Sequence, residues 1–206
     1  MVADRHGSIG RPGIGVRYTR CVSEPTASHD SLSVEEYLEL EEVATVRHEY
    51  VGGEIFAMVG ATKRHNRVVG NILVRLWEAA RGGDCRVYSE SVKLRVADDV
   101  IYYPDVMVAC GPEDNDPVVE EDPCLVVEVA SPSTETTDRR EKLVAYKRMP
   151  GLRAYLIVAQ DRRWVESHVR SEDNLWHRGD LVDEGRFSVP CPETSLTLTE
   201  IYEGLE

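Results

Sequence analysis

Leu125-Val126-Val127-Glu128-Val129-Ala130 leads into Ser131-Pro132-Ser133-Thr134, then into residues 138–149, and then into the apolar run Arg153–Ala159. Apart from Glu128, the first run is apolar at both alternating sets of positions, the pattern of a strand covered on both faces. Ser-Pro-Ser-Thr breaks that strand. Residues 138–149 read as a helix ended by Pro150-Gly151, and Arg153–Ala159 reads as a second apolar strand. A strand–helix–strand crossover implies a parallel pair with a right-handed connection.

Antiparallel pairs are expected on either side of this unit. His48–Val51 and Glu54–Val59 flank Gly52-Gly53, a hairpin signal. Strands are expected over Arg86–Ser89, Ser91–Val96 and Val100–Ala109, with Arg163–Arg170 as the hairpin partner of Arg153–Ala159 and short strands near Leu175 and Phe187. Ser33 with Glu36 forms a capping box opening a helix over 34–42, and Thr197 with Glu200 opens another near the end. Val68, Val69, Ile72, Leu73, Leu76, Trp77 and Ala80 recur at helical spacing, so Arg64–Ala80 is an amphipathic helix. The class is therefore α/β with a mixed β-sheet flanked by helices.

The chain has 206 residues, enough for one domain with an extension. Residues 1–30 are rich in Gly, Arg, Ser and Pro and read as a flexible N-terminal extension; residues 31–206 read as a single domain. Lys and Arg number 24 against 37 Asp and Glu, a formal charge of −13, which excludes general polyanion binding by bulk electrostatics. No apolar run is long enough to cross a membrane, and the first residues lack the apolar core of a secretory signal, so no membrane partner and a cytoplasmic location are expected. The five cysteines form no CxxC pair, which argues for reduced thiols rather than zinc or disulfides. GxSxG and P-loop motifs are absent, and GRPGIG at 10–15 does not complete a dinucleotide fingerprint.

Two carboxylates stand out. Glu128 interrupts an apolar strand, where an ionised carboxylate is costly unless a cation or strong donors satisfy it; alternatively it lies at the strand end and points to water. Asp105 follows Tyr102-Tyr103-Pro104, and the proline marks an edge, bulge or bend that re-aims side chains, or else merely protects an edge. Acidic ligands on neighbouring strands would suit a hard cation such as Mg²⁺. His48-Glu49 is not a zinc-protease motif, because Gly52 occupies the second histidine position.

These residues carry a resemblance. His48-Glu49-Tyr50-Val51-Gly52-Gly53-Glu54, His65, Tyr103-Pro104-Asp105, the run from Leu125 to Thr134, then Asp138, Lys142, Tyr146 and Ala154–Val158 resemble the Uma-type restriction-endonuclease family, a branch of the PD-(D/E)XK nuclease superfamily. The resemblance spans roughly Ser33 to Arg170. It implies a restriction-endonuclease-like fold and Mg²⁺-dependent hydrolysis of DNA phosphodiester bonds, with Mn²⁺ as a substitute. It places Asp105 and Glu128, with a backbone carbonyl near Val129, as metal ligands. Glu49 would be an additional acidic catalytic residue and His65 a pocket residue. The superfamily's motif lysine falls at Ala130 here, so Lys142 is expected to deliver the ammonium instead.

Each assignment has a structural alternative. Lys142 could be a surface i,i+4 partner of Asp138, Asp138 could only stabilise the helix start, Glu49 could be a solvated strand residue, and Tyr146 could pack its helix on the sheet. DNA contacts would fall to Arg64, His65, Arg67, Arg139 and Arg140 in the two locally basic helices. A homodimer would supply two sites for two-strand cutting. The alternatives are a nuclease-fold binding module without catalysis, for which Ala130 is the motive, and a metal-dependent hydrolase of small phosphorylated molecules, which the net charge favours.

Overall fold

The computed structural model describes residues 31–58, 60–113, 116–131 and 135–205, so the reading of residues 1–30 as a flexible extension lies outside the described residues. Helix α1 (Val34–Val43) is opened by the reciprocal Ser33–Glu36 capping box. The hairpin β1 (His48–Val51) and β2 (Glu54–Ala57) turns at Gly52 and Gly53, both with positive φ (59° and 92°), which a two-residue turn of this hand requires. Helix α2 (Lys63–Ala80) starts at its N-cap Thr62. It buries Val68, Val69, Ile72, Leu76 and Ala80. Trp77, expected on the same apolar face, is 55% exposed and carries the Arg81 guanidinium over its ring.

Strands β3 (Cys85–Ser89), β4 (Lys93–Ala97), β5 (Val100–Tyr102), β6 (Val106–Cys110), β7 (Val119–Glu120) and β8 (Leu125–Ala130) follow. The single strand expected over 100–109 is two: Tyr103-Pro104-Asp105 separates β5 from β6 and sends them to different sheets. After β8 come a short turn α3 (Glu135–Thr137), a π-helical turn Asp138–Lys142 and α4 (Leu143–Lys147). Strands β9 (Ala154–Ala159), β10 (Trp164–Arg170), β11 (Trp176–Val182), β12 (Arg186–Pro190) and β13 (Glu193–Thr197) and helix α5 (Leu198–Ile201) complete the domain.

The main sheet has the order β11-β10-β9-β8-β6-β3. Only β8 and β9 run parallel in it, as the crossover from residue 125 to 158 requires. A second sheet has the order β2-β1-β5-β4-β7, and β12–β13 is a separate hairpin. Side-chain alternation along β8 divides the interior. Leu125, Val127 and Val129 enter a core shared with α2, α5 and the C-terminal hairpin, whereas Val126 and Ala130 enter one shared with Leu94, Tyr102, Tyr146 and Tyr155. A third small cluster, Tyr37, Tyr50 and Ile101, lies under α1.

The expectation of free thiols is overturned for four cysteines. Cys85 is bonded to Cys110 and Cys124 to Cys191. The first pair lies directly opposite in the β3–β6 register, and the second joins the residue before β8 to the residue after β12. Sequence separations of 25 and 67 residues gave no local sign of either contact. Among the described residues, no helix is long and apolar enough to cross a membrane.

Candidate active site

Glu128 shares the parity of Val126 and Ala130, so the pleat turns its side chain toward the tyrosine-rich core rather than to water. It is 4% exposed. Its Oε1 accepts from Lys142 Nζ at 3.1 Å and from Tyr146 Oη at 2.8 Å. Lys142 also donates to Glu49 Oε1 at 2.8 Å and stands 3.8 Å from Asp138 Oδ1. Its ammonium lies over the Tyr102 ring at 5.1 Å.

The helix after β8 makes this possible. Asp138, Lys142 and Tyr146 are all buried, on one face of the π-helical turn and α4. A π turn inside a helix shifts the side chains relative to a regular ladder and is a recurrent feature of functional sites. The surface-pair alternative for Lys142 is therefore excluded; Asp138 stands in the first turn, where a helix-start charge would, and is also buried beside the ammonium. Tyr146 both packs, edge-on to Tyr102, and binds the carboxylate.

Burial pushes the Glu128 carboxyl well above the ordinary carboxylate range; Lys142 opposes this, and Asp138, Asp105 and Glu49 reinforce it. Burial would lower the Lys142 pKa, but Glu128, Glu49 and Asp138 together raise it, so the lysine stays protonated. One cation faces three carboxylates in a desolvated space. Such an excess is relieved by a proton on Glu128 or by a second cation.

Asp105 sits beside this network. Its Oδ2 accepts from the Val129 N–H at 2.7 Å, which fixes the Pro104 bend against β8, and lies 3.2 Å from His65 Nε2. His65 is held by the first turn of α2, where its N–H bonds the Thr62 hydroxyl. Burial would lower the His65 pKa, but the hydrogen bond and charge of Asp105, with Glu90 behind, raise it. Its Nδ1 is buried and, among the described residues, has no hydrogen-bond partner. Glu90 completes a triad: one ligand atom each from His65, Glu90 and Asp105 lies within 4.8 Å of the others. Glu90 has φ 47°, a left-handed conformation uncommon outside glycine. It is held there by its N–H on the Pro104 carbonyl and by Arg47 on its own carbonyl. Strain of this kind concentrates at functional sites.

Beside the expected Asp105–Glu128 pair stands a further set of donors. The donors that converge are His65, Glu90 and Asp105, while Glu128 is outside that triad with Oε1 engaged by Lys142 and Tyr146. Glu90 was not visible in the sequence; it lies in a loop between two strands, and only its unusual backbone aims it inward. His65, expected as a pocket residue and a nucleic-acid contact, faces the Asp105 and Glu90 carboxylates.

The arginines divide as well. Arg64 donates to the Gln160 carbonyl. Arg67 is exposed, and with Ala61, Thr62, Lys63, Asn66 and Glu90 it lines a groove that reaches the triad. Arg140 is exposed. Arg139 is committed to structure: it pairs with Glu135 and with buried Glu166 and covers the Trp164 ring.

A family model described as "Putative restriction endonuclease" (Uma2) matches residues 34–199. An uncharacterized protein of Synechocystis, slr1290, is 34% identical over 183 residues, covering 88% of this chain and 96% of its own length. A second Synechocystis protein, sll1609, also uncharacterized, is 33% identical over 74% of this chain and 89% of its own. The crystal structure of a nuclease of the DUF820 group from Anabaena variabilis, described as putative, superposes with a TM-score of 0.68 at 16% identity, covering 83% of this chain and 97% of that one. That likeness is one of fold.

Proposed function

The chain belongs to the Uma2 restriction-endonuclease family and has its nuclease-type fold, and on that footing we propose that it is a metal-dependent endonuclease that hydrolyses DNA phosphodiester bonds. The observation that carries the proposal is the adjacency of two parts: the His65–Glu90–Asp105 triad, and the Lys142–Glu128–Glu49 network one residue along β8 from the Val129 amide that holds Asp105.

The triad's chemistry fits a divalent ion. Two carboxylates suit Mg²⁺ or Mn²⁺, and the imidazole nitrogen tilts the set toward Mn²⁺ and related first-row ions. His65, Glu90 and Asp105 would hold it. When bound, such an ion lowers the pKa of an attached water and offsets phosphate charge.

The chain's own residues supply the rest. Lys142, kept protonated and immobile by Glu49 and Glu128, presents fixed positive charge where negative charge develops in the transition state. Glu128, its pKa raised by burial, is suited to take a proton at Oε2; among the described residues that oxygen receives no hydrogen bond. Tyr146 holds the carboxylate in orientation. Lys63, Arg67 and Arg140 offer exposed positive charge to a phosphate backbone, while the −13 net charge discourages contact elsewhere. A homodimer would bring two such sites to opposite strands.

Ala130, which motivates the reading as a non-catalytic binding module, is answered by Lys142, whose ammonium reaches Glu128 from the following helix. The test is incubation of purified protein with labelled duplex and single-stranded DNA in Mg²⁺ or Mn²⁺, with Asp105→Ala as control. Metal-dependent cleavage that the control lacks supports the proposal. Binding without cleavage in either metal would favour the binding module. Phosphate release from small phosphoesters, with DNA untouched, would favour the small-molecule hydrolase.

A further inference from the structure

Cys85, Cys110, Cys124 and Cys191 come from four separate segments and meet at one end of the main sheet. Cys85 opens β3 and Cys110 closes β6, directly across the ladder from one another. Cys124 precedes β8 and is anchored by its N–H to the Val108 carbonyl at 2.7 Å, while Cys191 follows β12. The two disulfides are not separate features: Cys110 Sγ lies 3.4 Å from Cys124 Sγ, and the sulfurs of Cys110, Cys124 and Cys191 all lie within 4.8 Å of one another. Cys124 and Cys191 are buried against the apolar core, and Cys85 and Cys110 are half-buried at its margin. The cluster is remote from the carboxylates, since Asp105 and Cys110 stand at opposite ends of β6, five residues and on the order of 16 Å apart.

We propose that these four cysteines are a redox-linked zinc site: reduced, they hold one Zn²⁺ as thiolates, and oxidised, they form the two disulfides and release it. The inference is independent of the hydrolytic reading. Four sulfur donors with no oxygen donor among them select a soft or borderline ion, and four thiolates around Zn²⁺ at about 2.3 Å stand about 3.8 Å apart. The unbonded Cys110–Cys124 pair is already near that separation. On reduction, each of the other pairs has only to open about a strand-end side chain, because the backbone positions are set by the β3–β6 ladder and the Cys124 anchor. Buried thiolates require a cation, which the ion supplies.

The chemistry balances with a two-electron oxidant such as a peroxide. Two thiolates give two electrons, one S–S bond forms, and the peroxide O–O bond breaks; its two oxygens take two protons from solvent and leave as two waters, or as water and an alcohol. Two equivalents convert the tetrathiolate into both disulfides and free Zn²⁺. A dithiol reductant returns two electrons and two protons per disulfide, and zinc binding then displaces the thiol protons.

The experiment uses the full chain, reduced with a dithiol, desalted without oxygen and titrated with Co²⁺ and then Zn²⁺. One Co²⁺ per chain with intense thiolate-to-cobalt charge-transfer absorption, bleached by Zn²⁺ and absent from peroxide-treated protein, is the expected result. Asp105→Asn should keep that absorption, which separates this site from the carboxylate triad. Cys110→Ser and Cys124→Ser should each weaken zinc binding by about tenfold or more. Reduced wild-type protein that shows no charge-transfer absorption and retains no zinc overturns the proposal, whether or not the variants fold. Undiminished absorption in a folded Cys124→Ser, Cys191→Ser double variant overturns it equally.

Discussion

Lys142 Nζ stands 3.1 Å from Glu128 Oε1, and both side chains are more than nine-tenths buried. The two residues are on successive elements, a strand and the helix after it, and the superfamily's motif would have put the ammonium on the strand itself, at position 130. Ala130 points to the same face of β8 as Glu128, inside the tyrosine-rich core. Lys142 brings an ammonium to that same face from the helix that follows.

Loss of that ammonium should be felt in both chemistry and folding. Lys142→Ala is expected to cut DNA cleavage by about 10²-fold or more, the scale of a positioned electrostatic group. It should also destabilise the fold by about 3–5 kcal/mol, because Glu128 and Asp138 are left buried without their cation. Lys142→Ala combined with Glu128→Gln should recover much of the stability and none of the cleavage. Urea unfolding and a cleavage assay measure the two effects; a single variant as stable as wild type would mean that the buried charge is compensated elsewhere.

Metal binding should raise thermal stability, since the ion binds only the folded arrangement. Mn²⁺ should shift the melting temperature more than Mg²⁺ at equal concentration, because His65 contributes nitrogen. Asp105→Asn should abolish both shifts, whereas His65→Gln should remove the preference for Mn²⁺. Equal Mg²⁺ and Mn²⁺ shifts in wild type would remove the imidazole from the ligand set.

The basic residues should separate by mutation. Arg67→Glu with Arg140→Glu is expected to weaken DNA binding and flatten its salt dependence while leaving stability within about 0.5 kcal/mol. Arg139→Glu should instead destabilise, because it sets a second carboxylate against buried Glu166. Binding isotherms at several salt concentrations, read beside melting curves, check both; retained binding with the salt slope unchanged in the first variant would place the DNA elsewhere.

A pH effect is expected away from the active site. His168 is 2% exposed, its Nε2 lies 2.7 Å from Glu166 Oε1, and its Nδ1 is buried with no partner among the described residues. Burial lowers its pKa below 6.5; Glu166 opposes this, and Lys147 and Arg178 assist it. The two geometric facts favour a neutral ring with the proton on Nε2. A histidine depressed in the folded state binds its proton more tightly when unfolded. Its stabilising contribution is therefore complete above pH 6.5 and is lost as pH falls through the lower folded value. Unfolding free energy measured from pH 7.5 downward should decline below about 6.5 in wild type, and His168→Gln should flatten that decline. An unchanged slope in the variant would assign the effect to other groups.

Much of the architecture was legible in the chain alone because its signals are local. The Ser33–Glu36 and Thr197–Glu200 boxes, Gly52-Gly53 and the apolar repeat of α2 need only neighbours within a turn or two, and they appear where they were expected. The parallel β8–β9 pair follows from strand, breaker, helix and strand in order. Glu128 and Lys142 were likewise marked by sequence, the first by a charge in an apolar strand and the second by the family resemblance, with Ala130 at the motif's lysine position.

Tertiary structure decided which groups meet. Glu90 joins His65 and Asp105 because a left-handed residue and the Pro104 bend turn two loop segments toward the start of α2, a geometry that no spacing encodes. Four cysteines converge because a strand register and a hairpin 67 residues further on bring their sulfurs to one sheet end. Arg139 and Arg67 look alike in sequence, yet one is bound to a buried glutamate and the other is exposed. Periodicity and capping are set by short-range sterics and hydrogen bonds, so a sequence displays them; the partner of a charged or sulfur-bearing side chain is set by packing across the whole domain, so only the folded chain does.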